Sequence, residues 1–257
     1  MISIRSVTKT FGALTALDEV SLDVADGTFL SLVGPSGSGK STLLDLLGGL
    51  TTPTSGEVVI DGEPVRGPGL DRGVVFQQYA LFPWRTARAN VEFGLEGGPL
   101  GKRERAERSL EYLSLVGLSG FEDRYPHELS GGMKQRVAIA RSLAYDPAVL
   151  LMDEPFAALD AQTREQLQDE LLRIWRRTGK TIVFITHGID EAVYLGQRVA
   201  VLTSRPGRLK AVVDVELGDR SGDVRSDPAF GRQRHRLWEL LHDEVRKAAE
   251  HERSAAR

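Results

Sequence analysis

Gly34-Pro35-Ser36-Gly37-Ser38-Gly39-Lys40-Ser41-Thr42 is the stretch that decides the fold. It follows an apolar run at 29–33, which is typical of a buried strand, and it precedes a helical pattern of leucines at 43–47. A glycine-rich loop between a strand and a helix lets successive backbone N–H groups curve around a phosphate, where any Cβ atom would collide. The positive end of the following helix adds to the attraction for an anion. The stretch therefore predicts a phosphate-binding loop, which we call the P-loop.

The Gly-x4-Gly-Lys-Ser spacing of the P-loop matches the pattern of enzymes that bind nucleoside triphosphates. Lys40 is expected to place its charge between the β- and γ-phosphates, and Ser41 to offer its hydroxyl to Mg²⁺. The alternative is a glycine-rich turn with a lysine nearby. On the order of one chain in a hundred would match the fixed positions of this motif by chance. The flanking strand and helix favour the functional interpretation. We therefore expect ATP and Mg²⁺ as cofactors, with nucleotide contacts from Gly34, Pro35, Ser36, Gly37, Ser38, Gly39, Lys40, Ser41 and Thr42.

A second strand-like run, at 149–152, ends in Asp153. Burial of the four apolar residues would place this carboxylate at the carboxyl edge of the sheet, where it can hold Mg²⁺ through water. A strand-end aspartate is often only a helix cap, but the P-loop in the same chain favours a metal site. Glu154 follows directly and is a candidate for orienting and deprotonating the attacking water. On its local sequence alone Glu154 could also be a surface acid.

Composition restricts the classes of protein that the chain can represent. It has 257 residues, 41% hydrophobic and 27% charged, which is ordinary for a soluble globular domain. The formal charge of −3 argues against a chain that coats nucleic acid, and the lack of cysteine excludes disulfides and thiolate metal sites. The N-terminus does not resemble a signal peptide, and no apolar stretch approaches the roughly 18–20 residues that span a bilayer. Any role at a membrane is therefore expected from the cytoplasm, through a partner.

Strand-like runs alternate with helical patterns, which predicts an α/β fold with a largely parallel sheet. The first 33 residues are expected to form short strands separated by turns, and a further apolar strand is expected at 181–186. The segment 78–142 differs, because amphipathic helix patterns at 102–116 and 132–143 have no convincing strand between them. We interpret 78–142 as a helical subdomain inserted into a catalytic core of about 1–77 and 143–218.

Beyond Gly218 the chain becomes charged, and 219–257 is predicted to be a C-terminal helical extension. Ser226-Asp227-Pro228 is typical of a helix cap with proline at the first helical position. Packing of this helix on the core is the simple interpretation, and a regulatory or partner surface is the alternative. The predicted apolar stripe consists of Leu237, Leu240, Leu241 and Val245.

Leu129-Ser130-Gly131-Gly132-Met133-Lys134-Gln135-Arg136 resembles the signature motif of ATP-binding cassette (ABC) ATPases. The resemblance covers roughly 1–218 and implies a P-loop NTPase (RecA-like) core with an antiparallel β subdomain and an inserted helical subdomain. It also implies that two cassettes pair head to tail, so that each ATP lies between the P-loop of one copy and Ser130, Gly131 and Gly132 of the other. The simpler alternative is that Leu-Ser-Gly-Gly only caps the following helix.

The resemblance assigns roles to residues outside these motifs. Phe11 lies where an aromatic ring stacks on adenine, and Asp160 lies in the loop that crosses between the two cassettes. Gln77 corresponds to the glutamine that reaches the metal and the attacking water, and His187 to the histidine that contacts the γ-phosphate. The expected catalytic residues are Lys40, Gln77, Glu154 and His187, and the expected metal-binding residues are Ser41, Gln77 and Asp153.

Two positions depart from the family pattern. Gly188 follows His187 where related importers usually have aspartate, which puts the fine positioning of His187 in doubt. Ala157 stands where close relatives often carry glycine, and it could stiffen the crossing loop. Neither departure removes a catalytic group.

The segments 79–86, 90–95 and 204–208 are similar to the cassettes of nitrate, sulfonate and taurine importers. This implies an ATPase that energises solute import from the cytoplasmic face of the membrane, with a permease as direct partner and an extracytoplasmic solute-binding protein as indirect partner. Leu81, Phe82 and Trp84 are expected to form a groove for a permease helix, or else to pack within their subdomain. The alternatives are an exporter or lipoprotein-release motor, a soluble ATPase acting on nucleic acid or ribosomes, and a catalytically dead ATP clamp.

Overall fold

The computed structural model describes residues 1–218, 220 and 223–255, with side chains through 248. It forms two compact units: Met1–Pro68 together with the chain from Thr181 onward, and Gly69–Lys180. Within the described residues the strands are β1 Ile2–Phe11, β2 Leu14–Val24, β3 Phe29–Val33, β4 Ser55–Ile60, β5 Glu63–Pro64, β6 Arg72–Val75, β7 Val149–Asp153, β8 Thr181–Ile185, β9 Arg198–Leu202 and β10 Leu209–Asp214. The α-helices are α1 Lys40–Leu47, α2 Ala87–Leu95, α3 Lys102–Leu115, α4 Gly131–Ala144, α5 Ala161–Thr178, α6 Ile189–Leu195 and α7 Pro228–Ala255.

The first unit contains an antiparallel sheet in the order β2-β1-β4-β5. Ile2 pairs with Val24 on one side and with Ile60 on the other, so the buried residues of three strands share one face. β1 and β2 have 10 and 11 residues, so the expectation of short strands in this region is wrong. The pairing of β1 with β2 continues from Ile2–Val24 to Phe11–Leu14 through irregularities in register, and this accounts for the length.

The first unit also contains parallel strands, with β3 paired to β8 and to β9, and β10 antiparallel to β9. All residues of β3 and β8 are buried, as expected of parallel strands covered on both faces. Because parallel strands end at the same edge of a sheet, the P-loop after β3, His187 after β8 and the turn after β9 lie along one edge. The strands predicted at 29–33 and 181–186 are confirmed.

The second unit is built from the parallel pair β6-β7 and helices α2 to α5. Val75 pairs with Met152, so Asp153 at the end of β7 and Gln77 two residues beyond β6 belong to neighbouring strand ends. Helix α4 packs tightly on β6: the Ser142 hydroxyl donates to the Val74 carbonyl oxygen at 2.8 Å. The helices predicted at 102–116 and 132–143 are confirmed as α3 and α4.

The division into two units differs from the boundaries proposed from the sequence. The second unit begins at Gly69 and continues to Lys180, so it includes β6, β7 and α5 together with helices α2 to α4. The division into a core, a subdomain at 78–142 and an extension at 219–257 stays a prediction. No helix in the described part of the chain is long and apolar enough to cross a membrane.

Helix α7 begins at Pro228, and the Ala229 amide donates to the Asp227 carboxylate at 2.7 Å, so the predicted cap is confirmed. Leu237 and Leu241 are buried and Leu240 is half-buried. The predicted stripe is wrong at its last position, because Val245 is 54% exposed.

The buried position in that turn of α7 belongs to Glu244, whose side chain is 2% exposed. Its carboxylate accepts from the Ser204 amide at 3.0 Å, from Lys210 at 2.9 Å and from Lys247 at 3.1 Å. Burial alone would raise the pKa of Glu244, but the hydrogen bonds from Lys210, Ser204 and Lys247 outweigh it and lower the pKa from 4.5 to about 2. These partners explain why a charged residue replaces the expected valine in the interior.

The Glu244→Gln substitution should lower the free energy of unfolding at pH 7 by about 1.5–3 kcal/mol, because it weakens hydrogen bonds to a buried charge. A carboxyl whose pKa is lower in the folded state stabilises the fold above its unfolded pKa. The difference between wild type and variant should therefore be complete above about pH 5 and narrow as the pH falls from 4.5 toward 2. Urea unfolding across this range measures it, and a difference independent of pH would contradict the assignment.

Candidate active site

The P-loop is a closed turn that holds the Lys40 side chain against its own backbone. The Ser38 amide donates to the Pro35 carbonyl oxygen at 3.2 Å, and Gly37 and Gly39 have φ angles of 73° and 86°. Lys40 is buried, and its Nζ donates to the carbonyl oxygens of Gly34 at 2.9 Å and Pro35 at 3.0 Å. The loop thus surrounds an ammonium group at the first turn of α1, which suits a bound phosphate.

Gly39 is required at the end of this loop for two reasons. Its φ of 86° is a left-handed conformation that L side chains rarely adopt. A Cβ atom at this position would lie 2.6 Å from the Leu17 side chain and 2.9 Å from the Ala16 carbonyl oxygen. The backbone of the P-loop is therefore seated directly on β2.

Other predicted nucleotide contacts in the first unit are accessible. Ser36 and Ser41 are exposed, and Thr42 is half-buried. Phe11 is 51% exposed at the end of β1, and the Lys9 ammonium lies 4.9 Å from the centroid of its ring. An exposed aromatic face suits stacking on a planar base.

His187 is exposed at the carboxyl end of β8. The next residue, Gly188, donates its amide to the Thr186 hydroxyl at 2.9 Å, and that hydroxyl also bonds to Glu191. Gly188 has a φ of −84°, and a Cβ there would lie 3.4 Å from its closest neighbour, so the site does not require glycine. His187 also lines an open cavity of about 610 Å³ with Ile189, Asp190, Arg234, His235 and Trp238.

In the second unit, the strand ends present oxygen atoms that suit a hard cation. Asp153 is half-buried, and its Oδ1 is buried without a hydrogen-bond partner among the described residues. A buried oxygen of this kind calls for an explanation, and a metal ion or its water would satisfy it. Gln77 is exposed beyond β6 and offers a carbonyl oxygen of the same class. These donors, like the Ser41 hydroxyl, fit Mg²⁺.

Glu154 adopts a backbone conformation that is unusual for a side chain of its size. Its φ is 46°, which costs of order 1–3 kcal/mol for a residue other than glycine. The Ala157 amide donates to the Glu154 carbonyl oxygen at 3.1 Å, which closes the turn after β7. Such strain at a half-buried carboxylate beside Asp153 is typical of functional sites.

The signature segment forms the N-terminus of α4. Ser130 is exposed, and its Oγ accepts a hydrogen bond from the Met133 amide at 3.3 Å. Ser130 therefore caps α4, as the simpler interpretation of the sequence predicted. Gly132 is buried, and a Cβ there would lie 2.6 Å from Thr163 on α5. Asp160 caps α5: the Thr163 amide donates to it at 3.0 Å and holds the pKa of its carboxyl below the usual range. The predicted signature and crossing loop therefore lie side by side.

Sequence reasoning missed the contacts of two charged residues, Arg136 in the signature segment and Glu244 in α7. Arg136, the last residue of the signature, pairs with the buried Glu170 at 2.8 Å and donates to the Val116 carbonyl oxygen at 3.0 Å. The role of Glu244 was missed as well. In both cases the partners lie far away in the chain. The sequence shows that position 136 is basic, but it does not show that Arg136 connects α3, α4 and α5.

Comparison with known proteins assigns the class. Residues 17–157 match the family model described as ABC transporter. An uncharacterized ABC transporter ATP-binding protein of Methanocaldococcus jannaschii is 53% identical over 96% of this chain and 93% of its own length. The nitrate import ATP-binding protein NrtD of Synechocystis is 51% identical over 90% of this chain and 89% of its own length. The taurine import ATP-binding protein TauB of Yersinia pestis is 46% identical over 90% of this chain and 92% of its own length.

Solved structures agree with this assignment. A dimeric structure of the bacterial ABC transporter cassette MJ0796 has a TM-score of 0.75 and 39% identity, covering 85% of this chain and all of that chain. A dimeric post-hydrolysis state of the same cassette, bound to ADP and Pi, has a TM-score of 0.74 and 38% identity over the same shares. The chain belongs to the ABC transporter family. Within that family it is a nucleotide-binding ATPase cassette, with a P-loop NTPase fold. The roles of its individual residues remain predictions.

Replacement of Gly39 by alanine should reduce ATP affinity at least tenfold, because the new Cβ must displace the P-loop from Leu17 and Ala16. Gly62→Ala is the matched control, since Gly62 has the same φ of 86° and a Cβ there would meet no atom within 4 Å. Gly62→Ala should lose about 1–2 kcal/mol of stability through its backbone conformation and should bind ATP normally. Gly39→Ala should lose more, because its Cβ also collides with Leu17 and Ala16. Calorimetric titration and thermal unfolding separate the two effects. Equal affinities in both variants would contradict the proposed cradle.

Proposed function

We propose that the chain energises solute import through a membrane permease of the nitrate, sulfonate and taurine type. NrtD and TauB, the named relatives, are import ATP-binding proteins, and each matches about nine-tenths of this chain. This favours import over the exporter and nucleic-acid alternatives. The structural observation that carries the proposed use of ATP is a P-loop around a buried Lys40, together with an exposed helix N-terminus at Ser130.

The P-loop is proposed to bind the phosphates of ATP through its backbone amides and Lys40, while Phe11 stacks on adenine. Mg²⁺, when bound, neutralises charge on the β- and γ-phosphates. Ser41, Gln77 and Asp153 would hold it, directly or through water. The accessible Ser41 hydroxyl and the unpaired Asp153 oxygen support this assignment.

Glu154 is proposed to accept a proton from the water that attacks the γ-phosphate. Its strained backbone supports this role, because such strain persists where the surrounding structure holds a group in one position. Gln77 would orient the same water, and His187 would donate a hydrogen bond to the γ-phosphate. Lys40 would stabilise the charge that shifts toward the β-γ bridging oxygen as that bond breaks.

Two copies are proposed to close head to tail around ATP, with Ser130, Gly131 and Gly132 of one copy binding the γ-phosphate held by the other. The exposed Ser130 hydroxyl and the N-terminus of α4 are available for this contact. Asp160 begins the neighbouring helix and would contact the second copy. The related cassette MJ0796 forms dimers, which supports the association of two copies.

The permease is proposed to dock on aromatic residues just beyond Gln77. Trp84 is 70% exposed, so packing within the subdomain does not account for it. Phe82 lies 5.5 Å from Trp84 and 4.5 Å from Phe93 between ring centroids, and the Arg85 guanidinium lies over Phe82 and Phe93. An exposed aromatic cluster with an adjacent cation is typical of protein interfaces. The subunit would thus associate with the cytoplasmic face of the membrane, and only indirectly with a solute-binding protein.

The Glu154→Gln substitution should lower kcat for ATP hydrolysis by about 10²–10⁴-fold while leaving ATP affinity within threefold of wild type, because the amide cannot accept the proton. ATP should then accumulate a stable dimer, which size-exclusion chromatography with light scattering detects. Glu165→Gln, on the exposed surface of α5, is the control and should behave as wild type. Full hydrolysis by the Glu154 variant would exclude it as the base.

Mixing two inactive variants should restore activity if each site spans two copies. Lys40→Ala and Ser130→Arg should each abolish hydrolysis alone. An equal mixture should recover about a quarter of wild-type activity, because half of the dimers contain one intact site of two. Specific activity of the wild type should also rise with protein concentration. An active Ser130→Arg protein that stays monomeric would contradict the shared site.

A further inference from the structure

The outer side of the P-loop rests on the turn that joins β9 to β10, which we call the 203–208 turn. A Cβ atom on Gly207 would lie 2.0 Å from the Ser38 carbonyl oxygen, and one on Gly37 would lie 2.8 Å from the Arg205 guanidinium. Arg205 Nε also donates to the Gly37 carbonyl oxygen at 3.5 Å. Because closely packed backbones cannot shift independently, the position of this turn sets the position of the P-loop.

The 203–208 turn is also bonded to β2 under the P-loop. The Gly207 amide donates to the Ala16 carbonyl oxygen at 2.9 Å, and the Asp18 amide donates to the Gly207 carbonyl oxygen at 3.0 Å. The neighbouring residue Leu17 is the side chain on which Gly39 is seated. The turn therefore contacts the P-loop directly and also through β2.

Helix α7 holds the same turn from the side away from the P-loop. Glu244 accepts from the Ser204 amide at 3.0 Å and from the Ser204 hydroxyl at 3.3 Å. Lys210, on β10, donates to Glu244 at 2.9 Å and to the Leu240 carbonyl oxygen at 2.8 Å. A carboxylate that is 2% exposed is costly without such partners, so these bonds fix α7 and the turn to each other.

We propose that Glu244 is a positioning residue for nucleotide binding, which acts through Ser204 and Arg205 on the backbone of the P-loop at Gly37 and Ser38. The C-terminal helix is then part of the support of the ATP site. The inference rests on the proposed role of the P-loop in binding ATP. It differs from a simple anchoring role for α7, in which loss of Glu244 would lower stability and leave nucleotide affinity unchanged.

The test compares Glu244→Gln with Glu239→Gln, the same substitution at an exposed position of the same helix. Equilibrium titration of the full chain with Mg²⁺ and a fluorescent ATP analogue measures affinity well below the unfolding temperature. The Glu244 variant should bind roughly 3- to 30-fold more weakly, with the Glu239 variant unchanged. If wild type and the Glu244 variant bind equally, the inference is wrong and the proposed function stands. Failure of the wild type itself to bind would instead overturn both.

A double-mutant cycle with Arg205→Ala tests the route. Arg205 is exposed, so its replacement should leave the fold intact. If Glu244 acts through the turn, the double variant should bind about as weakly as the weaker single variant. Multiplicative losses in affinity would show two independent effects and overturn the proposal. If Glu244→Gln fails to fold, the affinity of Arg205→Ala for the ATP analogue tests the proposal alone. Wild-type affinity in Arg205→Ala would mean that the turn does not support the P-loop, and the proposal would be wrong.

Discussion

The site depends on backbone amides that are held in a fixed curve before a phosphate arrives. Gly39 can close that curve only because it tolerates a φ of 86° and has no side chain to meet Leu17 and Ala16. The Lys40 ammonium lies on carbonyl oxygens of the same loop. A phosphate is therefore expected to replace these carbonyl oxygens beside Lys40, while the backbone curve itself is already formed. Donors that are fixed in advance interact with charge more strongly than water does.

Within each unit, the sheet brings candidate site residues to the ends of neighbouring strands. In the first unit the parallel strands β3, β8 and β9 end at one edge, which places the P-loop, His187 and the 203–208 turn together. In the second unit β6 and β7 do the same for Gln77 and Asp153. Each group lies at or just beyond the carboxyl end of a strand, where backbone hydrogen bonds fix the chain up to that point.

The sequence predicts those parts of the molecule that short local patterns specify. The P-loop, the strand before Asp153 and the caps at Ser130 and Asp227 are each specified by a short pattern of neighbouring residues. Val245 was misplaced because helical periodicity alone cannot tell a valine from a nearby glutamate whose partners lie about forty residues away at Ser204. The start of the second unit at Gly69 likewise depends on contacts that no local pattern encodes.

The Ser130 side chain shows how narrow the choice of residue is at the start of α4. As a helix cap, Ser130 needs only an oxygen lone pair, which accepts a hydrogen bond from the Met133 amide. An anion supplied by a second molecule requires a proton instead, and a hydroxyl has one proton as well as two lone pairs. Aspartate would cap the helix equally well but would repel the anion, and alanine would satisfy neither requirement. If Ser130 meets the nucleotide of a second copy as proposed, two demands restrict the position to the small alcohols, one during folding and one when the nucleotide arrives.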